Sequence, residues 1–334
     1  MLPFSAAVAF PNITNALLNT SIAHIHIARI FDFITSTFYI FLYEPRIIHV
    51  ILNFLSNIRV SPAMLRPVLK PDAQTVISMF LKHHVSIAKA NGVVVGMSGG
   101  LDSSVAAKLA ADALGPEKVL GVLMPESSTP DECMADARAM ANEWGIEILE
   151  INIKELVNTA SHSLGCRDKS RIGNIKARCR MMALYNLASE RGLLVLGTGN
   201  KSELLTGYFT KWGDGGNDLN ILGDLYKTQI RELAAKVGVP ESVIARVPSG
   251  DLWSGQTDEG ELGIDYATLD RILLGIELGM KDADIIKGAK VSKEQVAHVK
   301  NLVRKSVHKR RMGLIPKLST RTIGQDWREA DLSL

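Results

Sequence analysis

Apolar and polar positions follow two rhythms from residue 72 onward. Over 72–90, Val76, Phe80 and Ile87 recur at helical spacing and predict an amphipathic helix. "VVVGM" (93–97) is then a short unbroken apolar run, the pattern of a strand buried on both faces. The pair of signals repeats. Helices are expected over 103–114, closed by Gly115-Pro116, over 130–144, and over 173–191, closed by Gly192. Between them, "VLGVLMP" (119–125), "IEILEINI" (146–153) and "LLVLGT" (193–198) read as strands. Such alternation predicts an α/β fold, a Rossmann-like parallel sheet with helices on both faces.

The rhythm breaks at 199–226, a polar connection crowded with Gly, Asn, Asp and Lys. Long connections of this kind are usually functional or disordered. Helices resume at 227–237 and 266–278. In 292–309, Val296, Val299, Val303 and Val307 form one apolar stripe before the basic "HKRR".

Composition changes this picture at one place. The 334 residues are 46% apolar and 22% charged, as in ordinary globular proteins. Yet residues 1–63 contain no lysine and hold seven of the nine phenylalanines. Asp32, Glu44, Pro45 and Arg46 interrupt the apolar run, so no clean span of about 18–20 residues survives for a membrane helix. The preferred reading is an atypical extension translated from a misplaced start, with Met64 opening a single domain over 64–334; a hydrophobic anchor is the alternative. The net charge of +3 comes without a basic stripe and gives no reason to expect nucleic acid. Cys133, Cys166 and Cys179 form no CxxC pair, so neither disulfides nor zinc are expected. Buried thiols in a reducing cytoplasm are expected instead.

Candidate chemistry begins at "SGGLDSS" (98–104), directly after a buried strand. Ligands of an open parallel sheet bind at the carboxyl ends of its strands. Gly99 and Gly100 let the backbone approach an anion, and the amides of the following helix face it. A carboxylate repels phosphate, so Asp102 suits magnesium, which takes carboxylate and phosphate oxygens together. The competing reading is a glycine turn in which Asp102 or Ser103 caps the helix.

The run SGGxDS resembles the ATP pyrophosphatase (PP-loop) superfamily, whose members cleave ATP between the α and β phosphates. "NIKARCRMMALYNLA" (174–188), "GTGNKSELLTGYFTKWGDGGNDLNILGDLYKTQIREL" (197–233), "DLWSGQTDEGELGIDY" (251–266) and "HKRR" (308–311) are similar to the NAD synthetase family. The resemblance covers about residues 70–330. It implies an adenine nucleotide alpha hydrolase-like fold and ATP-dependent amidation of deamido-NAD by ammonia, through an adenylated intermediate, with AMP and pyrophosphate released.

The resemblance also implies roles. Gly96, Met97, Ser98, Gly99, Gly100, Leu101, Asp102 and Ser103 match the ATP loop; Thr198, Lys227 and Ser249 match further ATP contacts. Asp102 and Glu203 match the magnesium carboxylates, and Asp102 and Lys227 are the expected catalytic groups. Arg178, Lys211, Asp218, His308 and Lys309 match contacts to deamido-NAD. The Gly-rich stretch 207–224 is expected to be a lid that screens the anhydride from water. The segment before residue 70 is too short for a nitrilase-type glutaminase and lacks cysteine, which implies the ammonia-dependent form; a separate glutaminase subunit stays open. Relatives suggest a homodimer. A tRNA thiolase would need a reactive cysteine and a basic face. An XMP amidase would lack "GYFTKWGDGG" and "DEGELGIDY". A non-catalytic nucleotide-binding module or membrane-attached scaffold would not need Asp102, Glu203 and Lys227 together.

Overall fold

In the computed structural model, which describes residues 65–253 and 255–323, the apolar runs form a parallel sheet. Expectations for residues 1–63 lie outside the described residues. The strands are β1 (Gly92–Gly96), β2 (Val119–Leu123), β3 (Glu147–Glu150), β4 (Leu193–Gly197) and β5 (Leu219–Asn220), in the order β3-β2-β1-β4-β5. Every pair is parallel, with Val93 opposite Val119 and Leu194, and Leu196 opposite Leu219. The chain leaves β1 toward β2 on one side and later returns through β4 on the other. The carboxyl ends of β1 and β4 therefore flank the switch point where an α/β sheet offers its crevice.

The helices are α1 (Ala73–Ile87), α2 (Leu101–Leu114), α3 (Asp131–Trp144), α4 (Lys154–Ser163), α5 (Lys169–Arg191), α6 (Lys201–Thr206), α7 (Lys227–Val237), α8 (Glu241–Ile244), α9 (Asp258–Leu262), α10 (Tyr266–Glu277), α11 (Asp282–Ala289) and α12 (Lys293–Lys305). Side chains of β1 alternate between two cores, as strand geometry requires. Val93 and Val95 join Leu81, Val105, Met140, Ile230 and Leu233. Val94 joins Leu120, Val122, Ile153, Cys179 and Val195 on the opposite face. A third core, around Tyr266, Leu269, Ile272, Ile285, Val296 and Val299, packs α10, α11 and α12 together.

Several expectations need correction. The stripe Val76, Phe80 and Ile87 on α1 is exposed, and Ile77, Leu81 and Val85 face the core. Both sets have helical spacing, so periodicity alone could not choose between them. Of residues 146–153 only Glu147–Glu150 form a strand, β3; 151–153 lead irregularly into α4, whose buried residue is Val157. α5 begins at Lys169, where Asp168 caps it by accepting from Arg171 N. The stretch 207–224, expected as a lid, lies packed on α5 in this structure. An added Cβ at Gly213 would lie 2.8 Å from Ala177 Cβ, and one at Gly216 would lie 3.0 Å from Met181 Cγ. Its glycines permit close packing on α5, and its end supplies β5.

Candidate active site

The glycine turn lies between β1 and α2. Gly99 has φ 77°, and a Cβ there would meet Cys133 O at 2.0 Å, so only glycine fits without rearrangement. Ser98 and Ser103 stitch the turn internally: their hydroxyl oxygens lie 3.0 Å apart, and Ser103 Oγ also donates to Gly100 O at 3.0 Å. No side chain caps α2 at Gly100. Its first amides are therefore left for an anion, with the helix dipole behind them.

The cradle's own helix and two other elements deliver charge to it. Asp102 stands in the first turn of α2, Glu203 in the first turn of α6 and Lys227 at the start of α7. Lys227 Nζ pairs with Asp102 and lies 3.6 Å from Glu203 Oε1. The lysine is 3% exposed and sits where the helix dipole disfavours a cation, so the carboxylates must hold it. Burial works against its charge, but Asp102 and Glu203 outweigh burial and keep the ammonium above its ordinary range. Burial pushes the Glu203 carboxyl up to about 8 despite the pull of Lys227, with repulsion from Asp102 and Asp258 added.

A second layer fixes these groups. Asn200 caps α6 by accepting from Glu203 N at 3.0 Å, while Glu203 Oε2 accepts from Asn200 N at 3.1 Å. Asn200 Nδ2 also reaches Asp102 Oδ1 at 3.4 Å, joining the two acids. Beneath Lys227, Ser202 Oγ accepts from its backbone N at 3.0 Å and donates to buried Asp270. Tyr266 OH reaches Asp258 Oδ2 at 3.1 Å, and Asp258 Oδ1 is buried without a partner.

Around this cluster lies a cleft of about 400 Å³, and a smaller cavity of about 230 Å³ shares part of its lining. Ser98, Ser103, Thr198 and Ser249 line both. Gly96 and Met97 line the smaller one; Gly100, Leu101, Asp102, Glu203, Lys227 and Lys309 line the larger. Lys309 Nζ donates to Gly207 O and Phe209 O, each at 2.7 Å. Arg178, Lys211, Asp218 and His308 line neither cavity. The first, second and fourth of these form a separate row: Arg178 Nη2 donates to Lys211 O at 3.3 Å and Lys211 Nζ to His308 O at 2.7 Å. Asp218 instead accepts from Val195 N at 2.8 Å and Tyr185 OH at 3.1 Å, bracing β4.

Sequence reasoning passed over Asn200, Tyr266, Asp258, Tyr208 and Asp214, all at or beside the cleft. Asn200 carried a signal: an Asn followed three residues later by Glu is a capping-box spacing. Asp258 and Tyr266 fall within the stretch 251–266, but their roles had no signal, since only tertiary packing brings them under Lys227.

The sequence matches the family model described as NAD synthase over residues 74–313, most of the chain. The chain belongs to the NAD synthase family. It is 48% identical over 229 residues to the NH(3)-dependent NAD(+) synthetase of Pyrococcus furiosus, covering 68% of this chain and 88% of that protein. It is 46% identical over 243 residues to the Thermococcus kodakarensis protein of the same name, covering 72% and 95%. Among solved structures, the NMN synthetase of Francisella tularensis matches with a TM-score of 0.66 at 31% identity, over 77% of this chain and 99% of that one. The NH3-dependent NAD synthetase of Campylobacter jejuni matches with a TM-score of 0.64 at 28% identity, over 74% and 98%. NAD synthase family membership thus rests on sequence and fold together. No helix among the described residues is long and apolar enough to cross a membrane.

Proposed function

We propose that this chain is an ATP-dependent ligase that converts deamido-NAD and ammonia to NAD, releasing AMP and pyrophosphate. One observation carries the reading: in a NAD synthase family member, Asp102, Glu203 and Lys227 converge beside the uncapped start of α2. A nicotinate carboxylate resists ammonia because oxide is a poor leaving group. Attack of that carboxylate oxygen on the α-phosphorus of ATP breaks the bond to the β-phosphate bridge and expels pyrophosphate. Ammonia then attacks the acyl carbon of the mixed anhydride. The carbon–oxygen bond to adenylate breaks, and the nitrogen sheds its proton to adenylate or solvent.

The chain's residues supply position and charge for both steps. The α2 amides are the donors left for phosphate oxygens, and Ser98 and Ser103 hold the turn in shape. Lys227, held protonated, offsets negative charge that builds around the α-phosphorus. The donor set fits magnesium: two acidic side chains already face one cation beside an anion cradle, and a bound dication would hold Glu203 ionised. Among the described residues no group of three or more His, Cys, Asp or Glu could hold a metal, so phosphates and water would complete its shell. Asp102 and Glu203 would hold the ion, and its charge would offset that of the departing pyrophosphate.

We place deamido-NAD along the row Arg178, Lys211 and His308, with Lys309 at the cleft wall. Asp218, engaged by β4, orders this region rather than leading recognition. A homodimer completes the row: Met182, one turn from Arg178 on α5, and Trp212 are each 50% exposed there. A cytoplasmic location follows from the proposed substrates. The test is purified protein with magnesium, ATP, ammonium and deamido-NAD, with nicotinic acid mononucleotide as the competing acceptor. The expected result is NAD, AMP and pyrophosphate in equal amounts. ADP as co-product, or preference for the mononucleotide, would overturn it.

A further inference from the structure

Two irregular connections form walls of these adjacent cavities. Residues 124–130 leave the carboxyl end of β2 and contribute Thr129 to the smaller cavity. Residues 245–257 link α8 to α9 and bring Ser249, Gly250 and Asp251 into both cavities. Asp251 is held at φ 49°, a conformation that persists in a non-glycine residue only when its surroundings enforce it.

Those surroundings centre on Lys176 of α5, which is 7% exposed. Its ammonium pairs with Glu126, whose side chain is 5% exposed. It also donates to Ser128 Oγ at 3.0 Å and to Leu252 O at 2.7 Å. Ser128 Oγ stands 3.1 Å from Asp251 O and also contacts Glu126, with one proton to give. One buried cation thus touches both connections, directly and through Ser128. α5 is shaped for the same contact. A Cβ at Gly173 would lie 3.1 Å from Trp253 Cζ3 and 3.2 Å from Leu252 Cβ, and Lys169 Nζ stands 5.5 Å from the Trp253 ring centroid.

None of Lys176, Glu126 and Ser128 lines either cavity, so they reach substrate only through the connections they hold. Burying an ion pair gives little net stability, since desolvation offsets attraction. What it supplies here is direction: fixed donors aimed at particular oxygens. We propose that Lys176 is a positioning residue that, with Glu126, fastens residues 124–130 and 248–253 to α5 and thereby sets Ser249 against the nucleotide. The proposal rests on the nucleotide-binding reading of the cleft.

The test uses two variants of the full chain. Lys176→Met with Glu126→Gln removes both charges and leaves no buried ion unpaired. Ser128→Ala removes one hydroxyl. The readouts are affinity for α,β-methylene-ATP with magnesium, hydrogen exchange of peptides over 249–253, thermal midpoint, and KM for ammonium. The double variant is expected to bind nucleotide about tenfold more weakly, equivalent to about 1.4 kcal/mol. Exchange over 249–253 should rise by a similar factor while KM for ammonium moves less than about twofold. Ser128→Ala should shift the same two quantities about threefold, within the reach of one hydrogen bond. Unchanged affinity and exchange in both variants would overturn the proposal, as would equal loss of nucleotide and ammonium use. If the double variant does not fold, Ser128→Ala decides alone. If the wild-type chain makes no NAD, the functional reading fails, and exchange over 249–253 still tests the fastening.

Discussion

At the residue scale, Glu203 separates charge from scaffold. Its carboxylate faces Lys227, while its other oxygen accepts from Asn200 N. Glu203→Gln keeps an acceptor for the cap, since Gln also serves in capping boxes. We expect folding to persist while the magnesium needed for half-maximal activity rises on the order of tenfold, about 1.4 kcal/mol of lost cation attraction. Magnesium titration of activity beside a thermal melt checks this; an unchanged magnesium requirement would remove Glu203 from the metal site. Glu126 gives a second residue-scale expectation. Burial pushes its carboxyl up, but the bonds from Lys176 and Ser128 together outweigh burial and hold it below its ordinary value. A carboxyl with a depressed folded pKa contributes stability above its unfolded pKa and loses it as pH falls through the folded one. Urea denaturation between about pH 6 and 3 should therefore show a steeper loss for wild type than for Lys176→Met with Glu126→Gln. Parallel curves would contradict this.

At the element scale, the turn from β1 into α2 bears the strictest demand. Gly99→Ala would combine φ 77° with a Cβ 2.0 Å from Cys133 O. We expect a cost of about 1–3 kcal/mol in stability and loss of nucleotide binding as the turn shifts. Chemical denaturation and nucleotide titration measure the two effects, and a variant with native affinity would show that the turn does not cradle phosphate. This element was legible in sequence because its chemistry is local: a buried strand, two glycines and a helix start within a dozen residues. The strands β1, β2 and β4 were legible for the same reason. Three features were not. The buried face of α1 depends on what packs against it, and the apolar stripes through Val76 and Ile77 both have helical spacing. The close packing of 207–224 on α5 was hidden because glycines that allow mobility and glycines that allow close packing look alike in sequence. The polar layer of Asp258, Asp270 and Tyr266 comes from helices well separated in the chain from Lys227, so the stretch 251–266 was marked but its place under the lysine was not.

At the scale of the whole molecule, the parallel sheet does one thing for function: it aims the ends of β1 and β4, and the helices that follow them, at one crevice. α7 then returns to place Lys227 between two acids that the chain introduced 125 and 24 residues earlier. The row proposed for the acceptor lines neither cavity, and Met182 and Trp212 beside it are exposed. We expect a homodimer by light scattering, and Met182→Asp to weaken it and raise KM for deamido-NAD more than KM for ATP. A monomeric wild-type chain with full activity would refute that arrangement. The most direct test of the central claim follows one oxygen atom. Deamido-NAD labelled with ¹⁸O in its carboxylate is turned over with ATP, magnesium and ammonium, and the nucleotide products are weighed by mass spectrometry. Transfer of the α-phosphoryl group predicts one ¹⁸O in AMP and none in pyrophosphate. Unlabelled AMP, or label in inorganic phosphate with ADP as co-product, would contradict it.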